Sequence, residues 1–491
     1  VQPSTTEAFG WLLGSSERLD LFLGTLRPED NIVAASHVVQ ELMAHAPEAL
    51  DRWYNLVLAL ALVCDSAPHA GVQPGDRDVP GTPAEAAELF DYFRDLYASR
   101  DAGIAYDELS PAELAMVVGP ALPLTELQWA RENVRGSSGK WGRTFFAVPY
   151  DNGSLRAGCV WQHGPYTLER IRRYGGVCVD QAYYAACTAR AVGIPAVLFR
   201  GQGIRGQHAW IGYMKRPGEW GDAGRYVYDR YMSGTAIDPQ TGLECTDHDL
   251  ELGCAVAQRS ERRAAARKCY RLALVLRDLG RTEAALCLAA EATAREPLLC
   301  PAWALQADLL EQARRPADRL ALLEREAGAL RCFPDAAAAV QKRRADALVA
   351  LGRGDEATAL LRRLENRMGH ERDDLARYAG FEQVGQMRRA GDMAGARRKL
   401  EEILGDNRDE GMKVVQIVEE YLALTRETDQ TKEAARFLDG YLTSMTRRYA
   451  DELMPMDKGA FLKLLRQAYE NAHDSDGVRR LDKRIEAAGE H

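Results

Sequence analysis

Within a chain of 491 residues, the residue types best suited to chemistry lie in Tyr174-Gly175-Gly176-Val177-Cys178-Val179-Asp180-Gln181. Two glycines precede a cysteine, and Ala182, Ala185, Ala186 and Ala189 follow at helical spacing, so Cys178 opens a helix with a small-residue face. That helix closes at Gly193-Ile194-Pro195, a left-handed cap followed by proline. A thiol on a first helical turn lies near the positive end of the dipole, which favours the thiolate. The first helical amides have no internal partner, so the same end offers a nucleophile and an oxyanion donor.

A thiolate also needs a group that protonates the leaving amine and a second group that orients it. Gln207-His208-Ala209-Trp210-Ile211-Gly212-Tyr213 puts a histidine at the start of a β-like run. Arg225-Tyr226-Val227-Tyr228-Asp229 reads as a strand ending in a carboxylate. With Lys215–Gly224 as the connecting loop, His208 and Asp229 become cross-strand neighbours on one face. Gln162, after Trp161, offers an oxyanion donor or a plain surface amide, while His163 and Cys187 read as structural. The glycine-rich Gly201–Gly206 lacks the helix that a dinucleotide loop requires and reads as a mobile loop delivering His208.

These residues resemble the transglutaminase-like superfamily of papain-like cysteine enzymes. That family places Gly-x-Cys at a helix start, Ala-Leu-Gly-Ile-Pro-Ala after the helix, His-Ala-Trp on a strand and an Asp on the next. The counterparts are Gly176-Val177-Cys178, Ala191-Val192-Gly193-Ile194-Pro195-Ala196 and His208-Ala209-Trp210, within about 166–238. The resemblance implies Cys178 as nucleophile, His208 as general acid/base and Asp229 as the orienting carboxylate, with Asp238 of Asp238-Pro239 as the alternative third member. It implies attack on a protein or peptide amide and a thioester that water or an amine resolves, with no cofactor. Arg225 and Arg230 stand where the family often has Trp and Pro around its Asp, and Gly212 where glutamate is frequent. The rival reading is a catalytically inactive scaffold, or protein-interaction module, on the same fold.

The elements that must position these groups fall into three stretches. Residues 1–139 carry helical periodicity in Ala35–Leu50, Trp53–Cys64 and Ala84–Tyr97. Residues 140–256 form the catalytic stretch: β-rich Thr144–Val148 and Leu155–Trp161 flank Asp151-Asn152-Gly153, a hairpin signal, and Ala196–Arg200, Ala209–Met214 and Arg225–Tyr231 follow the Cys178 helix as strands. Residues 257–491 are helical and repeat. Ala273, Gly280, Ala285 and Pro297 set a unit starting at 266; units at 300 (Trp303, Ala307), 338 (Ala345, Gly352, Ala357) and 377 (Gly391, Ala396) follow. They resemble tetratricopeptide repeats, with Tyr421–Leu442 and Leu464–Ala487 as further pairs or a cap. The expected fold is an α+β papain/transglutaminase-like core flanked by an N-terminal helical region and a C-terminal all-α solenoid that binds a protein partner or substrate.

Composition narrows the functional classes. Sixty-three basic against 72 acidic residues give a formal charge of −9, and the arginines are scattered, which argues against a protein built mainly to hold nucleic acid. The longest apolar run, Leu56–Cys64, is about half a membrane span and reads as a buried helix. The ten cysteines show no zinc-knuckle spacing or disulfide framework, and Cys269, Cys287 and Cys300 read as small buried hydrophobes. The chain begins at Val1, so the expectation is a soluble protein, cytoplasmic or exported after removal of an N-terminal segment.

Overall fold

The computed structural model describes residues 3–67, 77–119, 122–226, 228, 230–257, 260–369, 372–408, 410–448 and 455–489. The chain divides into two compact units. The first comprises Val1–Arg200, Ala209–Arg225 and Gly234–Arg271; the second comprises Gly201–His208, Tyr226–Ser233 and Leu272–His491.

The first unit opens with α1 (Pro3–Leu13), α2 (Ser16–Thr25), α3 (Ile32–His45), α4 (Tyr54–Val63), α5 (Ala86–Ala98), α6 (Pro111–Val118) and α7 (Leu124–Asn133). The apolar run forms α4, buried from Tyr54 to Leu62 apart from the partly exposed Asn55, in agreement with the sequence. Ser110 caps α6 in a reciprocal box with Glu113, with Pro111 at the first helical position. The expected hairpin around Asp151-Asn152-Gly153 does not form. Ser138–Ala147 is a run of 3₁₀ turns and Asn152–Arg156 is the short helix α8, because Asp151 accepts the Gly153 N–H at 2.8 Å and caps a helix.

After α9 (Leu168–Tyr174), α10 (Cys178–Ala191) runs through the core, buried without interruption from Asp180 to Ala191. Five strands follow: β1 (Ala196–Gly203), β2 (Gly206–Arg216), β3 (Glu219–Ala223), β4 (Thr235–Ile237) and β5 (Glu244–Thr246), in sheet order β3-β2-β1-β4-β5. The first two expected strands are therefore present. Among the described residues of Arg225–Tyr231 there is no strand; β2 pairs antiparallel with Glu219–Ala223 instead, from Ile211↔Ala223 to Arg216↔Glu219, inside the segment read as a loop. Gly218 turns the hairpin at φ 73° and Gly224 ends it at φ 89°, so the ladder stops before Tyr226. Short α11 (Asp247–Ala257) leads to α12 (Ser260–Asp278).

The second unit is built from helix pairs. The helices are α13 (Thr282–Arg295), α14 (Cys300–Gln312), α15 (Pro316–Ala329), α16 (Pro334–Ala350), α17 (Gly354–Met368), α18 (Asp373–Arg389), α19 (Met393–Asp406), α20 (Val415–Glu427), α21 (Thr431–Arg448), α22 (Pro455–Asn471) and α23 (Ser475–Gly489). Each packs on the next from α13 to α23. The turns inside the pairs repeat one geometry, with a left-handed residue at Gly280, Arg314, Gly352, Gly391, Asp429 and His473. In each, the following N–H, from Arg281, Arg315, Arg353, Asp392, Gln430 or Asp474, bonds the carbonyl five residues back at 2.7–3.0 Å, closing a Schellman turn. Ala273, Ala285, Ala357 and Ala396 are wholly buried beside these turns. The repeat inferred from small residues is thus present, with a recurring hydrogen bond defining its phase.

These turns generate the first prediction. Gly352 and Gly391 have open space where a methyl would be added but left-handed φ of 74° and 80°, so Gly352→Ala should lower stability by about 1 kcal/mol through backbone strain alone. Arg314→Gly, at the equivalent position with φ 54°, should raise it by up to about 1 kcal/mol. Urea midpoints of the full chain check both signs.

Candidate functional site

Cys178 is the first residue of α10, as its surrounding sequence predicts. The approach to it admits no side chains: a Cβ on Gly175, at φ 88°, would lie 2.4 Å from the Pro149 carbonyl oxygen, and one on Gly176 would lie 2.4 Å from the Asp180 Cβ. Backbone bonds from Gly176 N to Pro149 O and from Asp151 N to Gly176 O, both 3.0 Å, fix this approach against the preceding loop.

Asp180, two residues into the helix, has no exposed surface. Its Oδ2 accepts the Val177 N–H at 2.9 Å, and its Oδ1 accepts the Tyr166 hydroxyl at 2.9 Å and Arg77 Nε at 3.2 Å. Arg77 also donates through Nη2 to the Cys159 carbonyl at 2.6 Å. Neither Asp180 nor Arg77 stood out in the sequence. Asp180 had a readable signal, an acid three residues past the cap; Arg77, a hundred residues upstream, had none.

The thiol does not behave as its place on the helix predicts. Burial pushes Cys178 up to about 11, and the neighbouring Cys159 and Asp180 push the same way. Hydrogen bonds from the Ala209 and Val179 backbone N–H groups oppose the rise without cancelling it. Desolvation therefore outweighs the helix terminus, and the group is a neutral thiol at neutral pH. Cys187, deeper on α10, is buried and raised to about 12, in keeping with a packing role. Cys269, Cys287 and Cys300 depart from the buried reading: Cys287 is exposed, as is Cys332, and the other two are partly exposed.

His208 lies on β2 and belongs to the second unit, whereas Cys178 belongs to the first. Its ring is stacked with Tyr226 at 4.9 Å and Tyr231 at 5.5 Å between centroids. Tyr228 stacks on Tyr226 at 5.3 Å, and Arg205 lies 4.7 Å over the Tyr228 ring. The described residues of the segment read as a carboxylate-bearing strand thus bring tyrosines to the imidazole. Asp229 lies outside the described residues. Asp238 follows β4, where its Oδ1 accepts the Gln240 N–H at 2.8 Å and its backbone closes the β4–β5 turn with Leu243 and Gly242. Gln162 is exposed in the loop before α9.

One further pair was not anticipated. Asp151 Oδ2 meets His163 Nε2 at 2.8 Å and the Ser154 hydroxyl at 2.6 Å, and these two bonds hold the carboxyl well below its usual range. The His163 ring is stacked on Tyr174 at 5.3 Å. The carboxylate sits between hydroxyl and imidazole, the wrong order for a nucleophile–base–acid relay, so the cluster braces the α8 turn. At Gly212, a Cβ would fall 2.3 Å from the Phe199 ring, so the close packing at this position requires glycine. Among the described residues no group of three or more His, Cys, Asp or Glu converges as a metal site, and no helix is long and apolar enough to cross a membrane.

No protein-family model matches the chain, and no curated protein matches it. Solved structures of helical repeat proteins are similar to part of it. A Podosopora anserina putative kinesin light chain with nearly identical TPR-like repeats matches at 18% identity, over 37% of this chain and 90% of that one, with a TM-score of 0.24. BtubC (BKLC) from P. vanneervenii matches at 14% over 48% and 90%, with a TM-score of 0.26. Pseudomonas aeruginosa pilF matches at 17% over 46% and 92%, with a TM-score of 0.23.

Two outcomes follow from the geometry. Alkylation of Cys178 by iodoacetamide at pH 7 should be slower than that of exposed Cys287 and Cys332, and should climb with pH toward about 11 as the thiolate appears. Peptide mapping of the labelled sites reads this directly. Asp180→Asn should destabilise the protein by about 3 kcal/mol, because it leaves the Arg77 charge buried without its carboxylate. Denaturant unfolding measures the loss.

Proposed function

We propose that this chain is a protein-interaction protein whose helix pairs recruit a polypeptide partner. The observation that carries the reading is an apolar stripe formed by Leu272 and Val275 on α12 and Leu279 directly after it, which are 56%, 54% and 68% exposed. Their spacing of three and four residues places them on one helix face. Ala273 on the same helix is wholly buried, so α12 has one face committed to the stack and another left apolar in water. Contiguous exposed apolar residues on a regular face are the usual mark of a docking surface, and an apolar helix or groove on the partner is the matching shape.

A second reading is favoured by one observation, the pair of backbone N–H groups from Val179 and Ala209 that meet the Cys178 sulfur, Ala209 following His208 in the chain. In that reading residues 140–256 are a transglutaminase-like module. His208 takes the Cys178 proton, the sulfur attacks an amide carbonyl, and the oxyanion faces backbone donors. The C–N bond then breaks as His208 returns the proton to the amine, and water or a second amine resolves the thioester. Asp229, or Asp238 in its place, orients the imidazole.

The two readings separate by mutation. Leu272→Asp combined with Leu279→Asp should shift stability by no more than about 0.5 kcal/mol per site. It should reduce recovery of crosslinked protein partners at least tenfold in quantitative affinity purification. An unchanged partner set defeats the interaction reading. Cys178→Ser should leave the partner set intact; loss of amine incorporation into, or cleavage of, a casein substrate on that change establishes the acyl-transfer reading instead.

A further inference from the structure

We propose that Cys159 and Cys178 are a redox pair, joined by a reversible disulfide when a disulfide oxidant such as glutathione disulfide is present. Both thiols are free and partly exposed, and both belong to the first unit. The inference rests on neither functional reading; it concerns what these two sulfurs do to each other.

A chain of contacts brings the loop after α8 onto the start of α10. Arg77 spans the two, donating through Nη2 to the Cys159 carbonyl at 2.6 Å and through Nε to Asp180 Oδ1 at 3.2 Å. One guanidinium thus joins the Cys159 main chain to a carboxylate two residues past Cys178. Asp180 Oδ2 accepts the Val177 N–H at 2.9 Å, which folds that carboxylate back on the residue preceding Cys178. At the other end of α8, Asp151 N bonds the Gly176 carbonyl at 3.0 Å, so both ends of the short helix are tied to the approach to Cys178. The sulfurs sense each other directly: Cys159 is among the groups that push the Cys178 thiol up.

The backbone at Cys159 is an independent observation. Gly158, at φ 78°, is the left-handed residue of the turn that ends α8, and the Cys159 N–H completes that turn on the Ser154 carbonyl five residues back at 2.8 Å. Cys159 then holds a further left-handed φ of 65°, a conformation that glycine adopts most readily and that the turn does not require. Among the described residues the other five non-glycine residues with positive φ are arginine, aspartate or histidine. A thiol at a position that suits glycine, next to a second thiol, points to a use for the sulfur.

The reaction balances as thiol–disulfide exchange. Cys159 loses its proton and attacks glutathione disulfide; the oxidant's S–S bond breaks and one glutathione leaves as thiolate. Cys178 then loses its proton and attacks the Cys159 Sγ of the mixed disulfide, expelling the second glutathione thiolate. The two cysteines lose two electrons, the oxidant gains them, and the two protons end on the glutathione thiols. Burial slows Cys178 toward an outside reagent, and a sulfur already placed beside it compensates. Once closed, the bond withdraws Cys178 from attack on any electrophile.

The test equilibrates the full chain with glutathione disulfide, quenches in acid, unfolds the protein and labels the remaining thiols with N-ethylmaleimide before peptide mapping. The expected product is a Cys159–Cys178 linked peptide. Free Cys178 should fall at least tenfold and return with dithiothreitol, while exposed Cys287 and Cys332 carry glutathione. Cys159→Ser, and Cys159→Gly, which suits the left-handed backbone, should each abolish the linked peptide and hold the loss of free Cys178 below twofold; a thermal melt checks that both variants fold. Cys178→Ser should leave Cys159 as its glutathione mixed disulfide. A mixed disulfide that persists on either cysteine of the unaltered chain, Cys178 linked to a different cysteine, or Cys178 still free after oxidation overturns the proposal.

Discussion

A carboxylate with no exposed surface must be surrounded by donors, and the first unit is arranged around that requirement at Asp180. Three donors from three separate places meet it: the Val177 amide at the helix start, the Tyr166 hydroxyl before α9, and the Arg77 guanidinium from far upstream. The carboxylate thereby fixes where α10 begins. Because α10 is buried along its length and packs on the 3₁₀ run, α6, α7 and α9, the position of its first turn is transmitted to most of the unit. At the other end, buried Arg190 donates to the Ala196 carbonyl at 2.8 Å and ties α10 to β1. Burial lowers that guanidinium to about 10, so it too is held by its surroundings rather than by solvent.

The second unit solves a different problem by repetition. Each helix pair must reverse direction within two or three residues while leaving no carbonyl unsatisfied. One left-handed residue and one bond to the carbonyl five residues back do this six times among the described residues. The spacing between turns is elastic, 34 residues from Gly280 to Arg314 but 39 from Gly352 to Gly391, because helix length varies while the turn does not. Buried ionic groups occur along the array, among them Glu296, Glu326, Asp373, Lys399, Glu410 and Lys413.

What was legible in the sequence was whatever local chemistry determines alone. The limits of α10 followed from Gly175-Gly176 and Gly193-Ile194-Pro195; the repeat phase followed from small residues whose turns recur. The failures share a cause, which is that one residue pattern serves two structures. Asp151-Asn152-Gly153 suits a hairpin, yet an aspartate that accepts the amide two residues on is equally a helix cap, and Ser154 tipped the choice. Tyr226 and Tyr228 alternate like strand residues, yet they stack on each other and on His208 in a loop. At Cys178 the helix dipole and burial oppose one another, and only packing decides which dominates. Arg77 shows the remaining limit: a partner a hundred residues away leaves no local mark, so the pairing of Asp180 is legible only once its donors are in place.

The assignment of Gly201–His208 and Tyr226–Ser233 to the second unit has a consequence for inheritance. Ile204 is part of the apolar core formed by α18 through α23, its carbonyl accepts the Met412 N–H at 3.0 Å, and a Cβ on Gly411 would lie 2.2 Å from that same oxygen. A genetic recombination that joined residues 1–271 to a foreign helical array would deliver Ile204 and Arg230 to a surface lacking their seat. A breakpoint at residue 271 therefore parts Ile204 and Arg230 from the residues that seat them, among them Glu410 for Arg230.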